Sequence, residues 1–274
     1  MSFFEGCRGQ IHHDSWLPEG DVRGAVLLLH GYAEHIGLYA SLAERLTRDG
    51  HAVHAFDEIG HGRSDGERAV IESWDILVED ARRLAVRIAE EHPGVPLTLI
   101  GHSGGALAAY LLAYRCPGIA TALVLSGGPL MPLEWVDAEL NGDAEEPGEL
   151  DPTGMLSTHP DYVHALIHDP LTYKGGFPQE TLRAIVEAWP AVEQALTEGQ
   201  PDVPVLMVHG EEDPVVPVEV ARTVAARLPL AEVRTFVGDL HDVLNEHNRD
   251  EVHDVIAAWL SQVVAVPQAA GASA

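Results

Sequence analysis

Lysine is all but missing from this sequence: Lys174 stands alone, and with the arginines it makes 16 bases against 43 acids, a formal charge of −27 with histidines neutral. Such a surface repels phosphate backbones and anionic lipid headgroups, so nucleic acid is excluded as a partner and contact with a membrane surface is weak at most. Two readings fit the excess of acid: a solvated surface in an alanine- and arginine-rich chain, or adaptation to high salt, where screening relieves self-repulsion. Cysteine is nearly absent too. Cys7 and Cys116 are too few for a disulfide scaffold and read as reduced, buried packing residues in a reducing compartment. No apolar run reaches the span of a membrane helix, and Met1 to Gly6 lacks the basic and apolar regions of a signal peptide, so a cytoplasmic location is expected.

What is present is apolar and regular. At 274 residues and 46% hydrophobic content the chain can build one large α/β domain or two small ones. After a possible hairpin over residues 3–17, short apolar runs alternate with amphipathic ones. Residues 25–29, 52–56, 96–100, 123–125, 205–208 and 233–237 read as strands, and residues 38–48, 76–91, 106–114, 218–228 and 250–264 as helices. Fully apolar strands between helices imply a mostly parallel sheet covered on both faces, with ligands at the carboxyl ends of its strands.

Between residues 128 and 200 the rhythm breaks. Pro129, Pro132, Pro147, Pro152 and Pro160 punctuate short helical pieces, and residues 137–151 carry acids with no base. An insertion of this kind reads as a lid over the strand ends, with the acidic stretch a mobile, solvated loop. The expected division is a core of residues 1–127 and 201–266, a lid of residues 128–200, and a disordered tail of residues 267–274.

Chemistry enters at Gly101-His102-Ser103-Gly104-Gly105, directly after the apolar run ending at Ile100. A serine between glycines at a strand-to-helix junction is a nucleophile elbow, the motif of α/β-hydrolases. A serine hydroxyl needs a base in hydrogen-bond reach, and the base needs an orienting acid. In this fold the chain order is Ser, then Asp or Glu, then His, on loops after late strands. Asp213, after the run 205–208, and His241, after the run 233–237, occupy those places, with Glu212 a competitor for the acid. The turn Ser126-Gly127-Gly128 offers no carboxylate. The other histidines, sixteen in all with His241, read mainly as structural or surface groups. His12, His13, His92 and His253 have no motif around them, and His102 and His209 read as packing neighbours of the site. His164 and His168 form an i,i+4 pair without a third ligand, so no metal site is expected. The backbone amides of Tyr32 and Gly104 are the candidate oxyanion donors.

Three further segments carry a resemblance. His30-Gly31-Tyr32-Ala33-Glu34-His35-Ile36-Gly37-Leu38-Tyr39 resembles the H-G-x-x-E-H-x-x-x-Y segment of monoacylglycerol lipases and lysophospholipase-like serine hydrolases of the α/β-hydrolase superfamily. Asp57-Glu58-Ile59-Gly60-His61-Gly62-Arg63-Ser64-Asp65-Gly66 is similar to their D-x-x-G-H-G-x-S-x-G loop, and Leu240-His241-Asp242-Val243-Leu244-Asn245-Glu246 to their histidine loop. The resemblance implies an α/β-hydrolase fold: a mostly parallel central sheet, helices on both faces and an inserted helical lid. It implies a Ser103, Asp213, His241 triad, with the Tyr32 and Gly104 amides as oxyanion hole and Glu34, His35, Asp57, His61 and Ser64 shaping loops. No cofactor and no metal is implied, and the expected partner is a small-molecule ester, a monoacylglycerol or lysophospholipid. The chain departs from the family at Gly104, where members usually carry methionine, and in the acidity of its insertion. Small soluble esters and thioesters remain alternatives, as does a non-catalytic binding module that keeps the fold. A serine at the elbow argues against dehalogenase and epoxide hydrolase chemistry, which uses a carboxylate there.

Overall fold

The computed structural model describes residues 2–142 and 152–263. The chain begins with an antiparallel hairpin of β1 (Ser2–Glu5) and β2 (Gln10–Trp16), joined by a tight turn in which the Gly6 N–H donates to the Gly9 carbonyl at 2.8 Å. From there the order is β3 (Gly24–Leu29), a short 3-10 helix (Ile36–Tyr39), α1 (Ala40–Thr47), β4 (His51–Phe56), α2 (Trp74–Glu91), β5 (Leu97–His102), α3 (Gly104–Arg115) and β6 (Ala122–Ser126). The insertion follows, with α4 (Glu134–Asn141), a single π-turn (Pro152–Leu156), α5 (Pro160–His168) and α6 (Gln179–Thr197). The core then resumes as β7 (Val205–Gly210), α7 (Val218–Ala225), β8 (Ala231–Phe236), a 3-10 turn (Val243–Asn245) and α8 (Arg249–Val263).

The eight strands form one sheet in the order β1-β2-β4-β3-β5-β6-β7-β8, parallel from β4 to β8 and antiparallel at the hairpin edge. All residues of β3 to β7 are buried, which is why those strands read as continuous apolar runs rather than alternating ones. Period-two alternation still divides them. Leu27, Leu29, Leu99 and Leu125 face the side packed by α2, α3, α6 and α7, and Val26, Leu28, Ile100 and Val124 face α1 and α8. The outer strand β8 is partly exposed and blunted by a Glu232–Arg234 ion pair at 2.7 Å.

Several boundaries move from expectation for local reasons. The second helix starts at Trp74 because the Ser73 hydroxyl accepts the Asp75 N–H at 3.1 Å as an N-cap, and the first opens as a 3-10 turn capped by His35. The acidic stretch is corrected in part: residues through Asn141 are helical in α4, where Val136 is fully buried, not a solvated loop. Its remainder, through Asp151, and the tail 267–274 lie outside the described residues. Cys7 and Cys116 are unpaired, as expected, but half-buried rather than buried; Cys116 packs against the core at the end of α3.

Backbone is packed against backbone where α3 leaves β5. A Cβ on Gly105 would sit 2.4 Å from the Leu29 carbonyl oxygen and 2.5 Å from that of His30, and one on Gly101 would sit 2.4 Å from the Gly105 carbonyl oxygen. These neighbours are backbone and have no rotamer to escape into. Gly105→Ala is therefore expected to lower stability by about 1–3 kcal/mol, read by urea denaturation against the wild type.

Candidate active site

Five parallel strands deliver their carboxyl ends to one place. Ser103 follows β5 and is held at φ 50° and ψ −119°, its N–H donating to the Ser126 carbonyl at 2.8 Å. Such a conformation costs on the order of 1–3 kcal/mol for a residue with a side chain and persists only where its surroundings impose it. Here the flanking glycines and the start of α3 do so.

Asp213 lies three residues beyond β7 and His241 five beyond β8. Asp213 Oδ2 is 2.8 Å from His241 Nδ1 and 3.1 Å from His209 Nε2, and Asp213 Oδ1 accepts the N–H groups of Val215 at 2.8 Å and Val216 at 2.9 Å. Burial alone would raise the Asp213 carboxyl. The opposing pull of His241 and His209 outweighs it and holds the group well below the usual carboxylate range. Asp213 is thus an ionised acceptor locked on the imidazole. Glu212 is exposed. His209, read from sequence as packing, is a second hydrogen-bond partner of the acid, its Nε2 also 2.7 Å from the Val216 carbonyl. His102 does pack, its ring 4.9 Å from that of His241. Gly127, at φ 55°, passes so close beneath the imidazole that a Cβ there would stand 2.9 Å from His241 Cε1.

Opposite Ser103, the loop after β3 brings its backbone up to the elbow. The Tyr32 nitrogen is 4.0 Å from the point a Cβ on Gly104 would occupy, so the two peptides bearing the candidate oxyanion amides face each other. The Tyr32 phenol is turned away: it donates to the Gly176 carbonyl at 3.0 Å while the ring stacks on Phe177 at 4.2 Å. The same Gly104 Cβ position lies 3.2 Å from Trp74 Cζ2, and the Trp74 indole N–H donates to the Gly104 carbonyl at 3.1 Å. An indole from α2 thus occupies the ground next to the elbow that a side chain at position 104 would take.

From Ser103 and Gly104 a narrow pocket, partly open to solvent, runs between Tyr32, Trp74, Pro129, Leu133, Trp135, Val136, Phe177, Ile185, Val215 and Val216. Among the described residues no charged side chain lines it. Trp74, Trp135 and Phe177 were not singled out in the sequence, because each comes from a different segment and none belongs to a motif.

The loop-shaping residues are buried and bonded. Asp57 Oδ1 accepts the Ile36 N–H at 2.9 Å, and Oδ2 accepts that of Arg63 and meets His12 Nδ1, both at 2.8 Å. The Ser64 hydroxyl donates to the Asp57 carbonyl and accepts the His12 N–H at 2.9 Å. His30 Nε2 accepts the Glu58 N–H at 2.9 Å, and His61 Nδ1 lies 3.0 Å from the Ile59 carbonyl. Glu34 accepts from the Gly31 N–H at 2.9 Å and from the Tyr39 hydroxyl, and the single Tyr162 hydroxyl lies in hydrogen-bond contact with both Glu34 Oε1 and, at 2.5 Å, Asp242 Oδ2. Burial, then the nearby Asp242 carboxylate, pushes the Glu34 carboxyl upward. Glu34, His102 and Asp242 place ligand atoms within 4.8 Å of one another, but both Glu34 oxygens and Asp242 Oδ2 are taken by Tyr39, Tyr162, Gly31 and Asn245, and only Asp242 Oδ1 lacks a partner. His164 and His168 stack at 4.1 Å on the exposed face of α5, and no third ligating side chain joins them among the described residues.

The segments after β6 are tied to both sides of the site. Met155 and Leu156 carbonyls accept the N–H groups of His241 at 3.3 Å and Asp242 at 2.8 Å, and Glu246 binds the Thr158 N–H at 3.0 Å and its hydroxyl at 2.8 Å. On the other side the Tyr173 N–H donates to the Ala33 carbonyl at 2.9 Å.

Comparison with known proteins places this geometry. The Hydrolase_4 family, described as serine aminopeptidase, S33, matches residues 20–248. The chain belongs to this family. It is 34% identical to a monoacylglycerol lipase of Mycolicibacterium smegmatis, over 94% of this chain and 95% of that protein. It is 28% identical to the monoglyceride lipase of Homo sapiens, over 90% of this chain and 85% of that one. The crystal structure of Paleococcus ferrophilus monoacylglycerol lipase superimposes with a TM-score of 0.75 at 30% identity, covering 92% of this chain and 99% of that one. The fold is that of the α/β-hydrolases, and the protein is an enzyme of their lipase and esterase group.

One buried carboxyl gives a direct test of these surroundings. Glu58 is fully buried with Oε1 unpartnered, and burial, with Glu34 next, pushes its carboxyl up to about 8. The folded state then holds a proton that the unfolded chain releases near the ordinary carboxylate pKa, so this group lowers stability as pH rises toward about 8 and adds no further change above it. Glu58→Gln, which mimics the neutral acid, is expected to gain on the wild type across that interval, measured by urea denaturation at a series of pH values. A constant difference across the range would contradict the assignment.

Proposed function

We propose that the enzyme hydrolyses uncharged carboxylic esters, monoacylglycerols foremost, through an acyl-enzyme on Ser103. The observation that carries this reading is an apolar pocket ending at a strained elbow serine, at the same strand-end face of the sheet as a histidine bonded to a buried, ionised aspartate. In the proposed cycle His241 Nε2 takes the Ser103 proton as Oγ attacks the ester carbonyl. Asp213 keeps Nδ1 protonated and stabilises the imidazolium, and the Tyr32 and Gly104 amides hold the oxyanion. His241 then protonates the departing alcohol, and the acyl-enzyme is released by a water deprotonated at the same nitrogen. Residues 128–200 serve as the cap: they supply Leu133, Trp135, Val136, Phe177 and Ile185 to the pocket wall.

The family description names an aminopeptidase, and the pocket argues against that use. An aminopeptidase must hold an α-ammonium group, and a desolvated cation needs a carboxylate partner; among the described residues the pocket lining offers none. An acyl chain asks only for apolar contact, worth about 0.8 kcal/mol per buried methylene. A lysophospholipid presents the same acyl ester but adds an anionic phosphodiester, which a chain of charge −27 disfavours.

Ser103→Ala is expected to lower kcat at least about 10⁴-fold with circular dichroism unchanged; turnover within tenfold of wild type would remove Ser103 from the mechanism. For the substrate, kcat/KM is compared across monoacylglycerols of graded chain length, lysophospholipids, acyl thioesters and short soluble esters. Monoacylglycerols should lead, and short soluble esters leading outright would overturn the lipid assignment while leaving the serine chemistry intact.

A further inference from the structure

Away from Ser103, on the face of the sheet covered by α2, two imidazoles meet nitrogen to nitrogen: His54 Nε2 in β4 lies 3.2 Å from His92 Nε2 at the end of α2. Glu91 completes the group, with one ligand atom from each of the three residues within 4.8 Å of the others. We propose that His54, His92 and Glu91 form a binding site for a divalent transition-metal ion of the zinc type, with water in the fourth position.

The geometry is that of a chelate. Two imidazole nitrogens bound to one tetrahedral zinc, each at about 2.0–2.1 Å, are about 3.3–3.4 Å apart. The observed separation is close to that edge before any ion enters. Nitrogen, nitrogen and carboxylate oxygen are a donor set suited to zinc and its first-row neighbours rather than to magnesium or calcium. His54 is prepared for the role. Its Nδ1 is 2.8 Å from the Ser15 hydroxyl on the neighbouring strand, so an Nδ1–H donated to Ser15 leaves the Nε2 lone pair aimed at the cluster. Burial, with His92 beside it, lowers the His54 pKa to about 4, which keeps the ring neutral and able to ligate near pH 7. Binding moves the His92 proton from Nε2 to Nδ1 and needs no change in ring charge.

The three residues also differ in exposure as an ion site requires. His54 is buried, His92 half-buried and Glu91 exposed, so the ion has a path in from solvent. The turn out of α2 aligns them: His92 leaves the helix at φ −125° and ψ 67°, so successive residues on the chain turn toward one point. A bound ion would fasten the end of α2 to β4, close to where the chain enters β5. Nearby on β2, His13 has a buried Nδ1 with no hydrogen-bond partner, a second neutral imidazole at the rim of the same surface. None of this is a sequence motif, since His54 and His92 are 38 positions apart.

The test titrates the full chain, stripped with chelator, with Zn²⁺ near neutral pH by calorimetry, alongside His92→Ala and Glu91→Gln. The wild type is expected to bind one tight Zn²⁺ and to gain several degrees in Tm. His92→Ala should lose at least about tenfold in affinity and the Tm gain, while its short-ester hydrolysis stays at the wild-type rate as proof of folding. Glu91→Gln, an exposed change that leaves the fold alone, should weaken binding on its own and carries the test if His92→Ala does not fold. Cobalt(II) in the wild type should give the visible bands of a four-coordinate ion. Equal affinity and Tm gain in wild type and both variants, as binding at the exposed His164–His168 pair would give, overturns the proposal; so does no binding in the wild type.

Discussion

The rest of the site depends on how closely the start of α3 approaches β3. Gly101 and Gly105 have no room for a Cβ against the neighbouring backbone, and with that contact made, Ser103 has no choice but positive φ. The same contact brings the Gly104 peptide up to the Tyr32 peptide at the end of the neighbouring strand, next to the strained serine. The strain is local, and the buried sheet and α3 offset it through ordinary apolar burial.

The acid and the base reach that place on two loops, and a loop is only as fixed as its bonds. The loop after β7 is closed by Asp213 itself, whose second oxygen binds the amides of Val215 and Val216 while His209 steadies the first. The loop after β8 is clasped from outside by residues 155–158, through the His241 and Asp242 amides and the Glu246 carboxylate. The insertion therefore holds the histidine loop by backbone as well as forming the pocket wall. Through Tyr162 it also reaches Glu34, and through Tyr173 the strand-end loop that carries Tyr32. A movement of these segments would be felt at both sides of Ser103.

Much of this was readable in the sequence because it is local. Fully buried parallel strands write themselves as apolar runs, the elbow as glycines about a serine, and the acid and base as positions after the last two strands. What escaped is what only the tertiary fold brings together. Trp74 was placed before its helix began, because the Ser73 cap that starts α2 earlier was not recognised. Its indole, stacked over Gly104, supplies bulk beside an elbow that lacks the family's methionine, a substitution across 30 positions that no local pattern reveals. His209 was set aside as packing because sixteen histidines blunt the signal of any one. His92 was set aside as a histidine without a motif and His54 passed unremarked for the same reason, and the acidic stretch hid the helix α4 because charge masked its single buried face at Val136.

The central claim is that the strained residue at the elbow is the nucleophile and that the Asp213–His241 pair activates it. The most direct measurement is covalent labelling by a fluorophosphonate, followed by peptide mapping of the adduct in the wild type and in His241→Ala. The account predicts one adduct, on the peptide carrying Ser103, formed at least about 10³-fold more slowly when His241 is absent. Stoichiometric labelling at another residue, or labelling of Ser103 at an unchanged rate in His241→Ala, would contradict it.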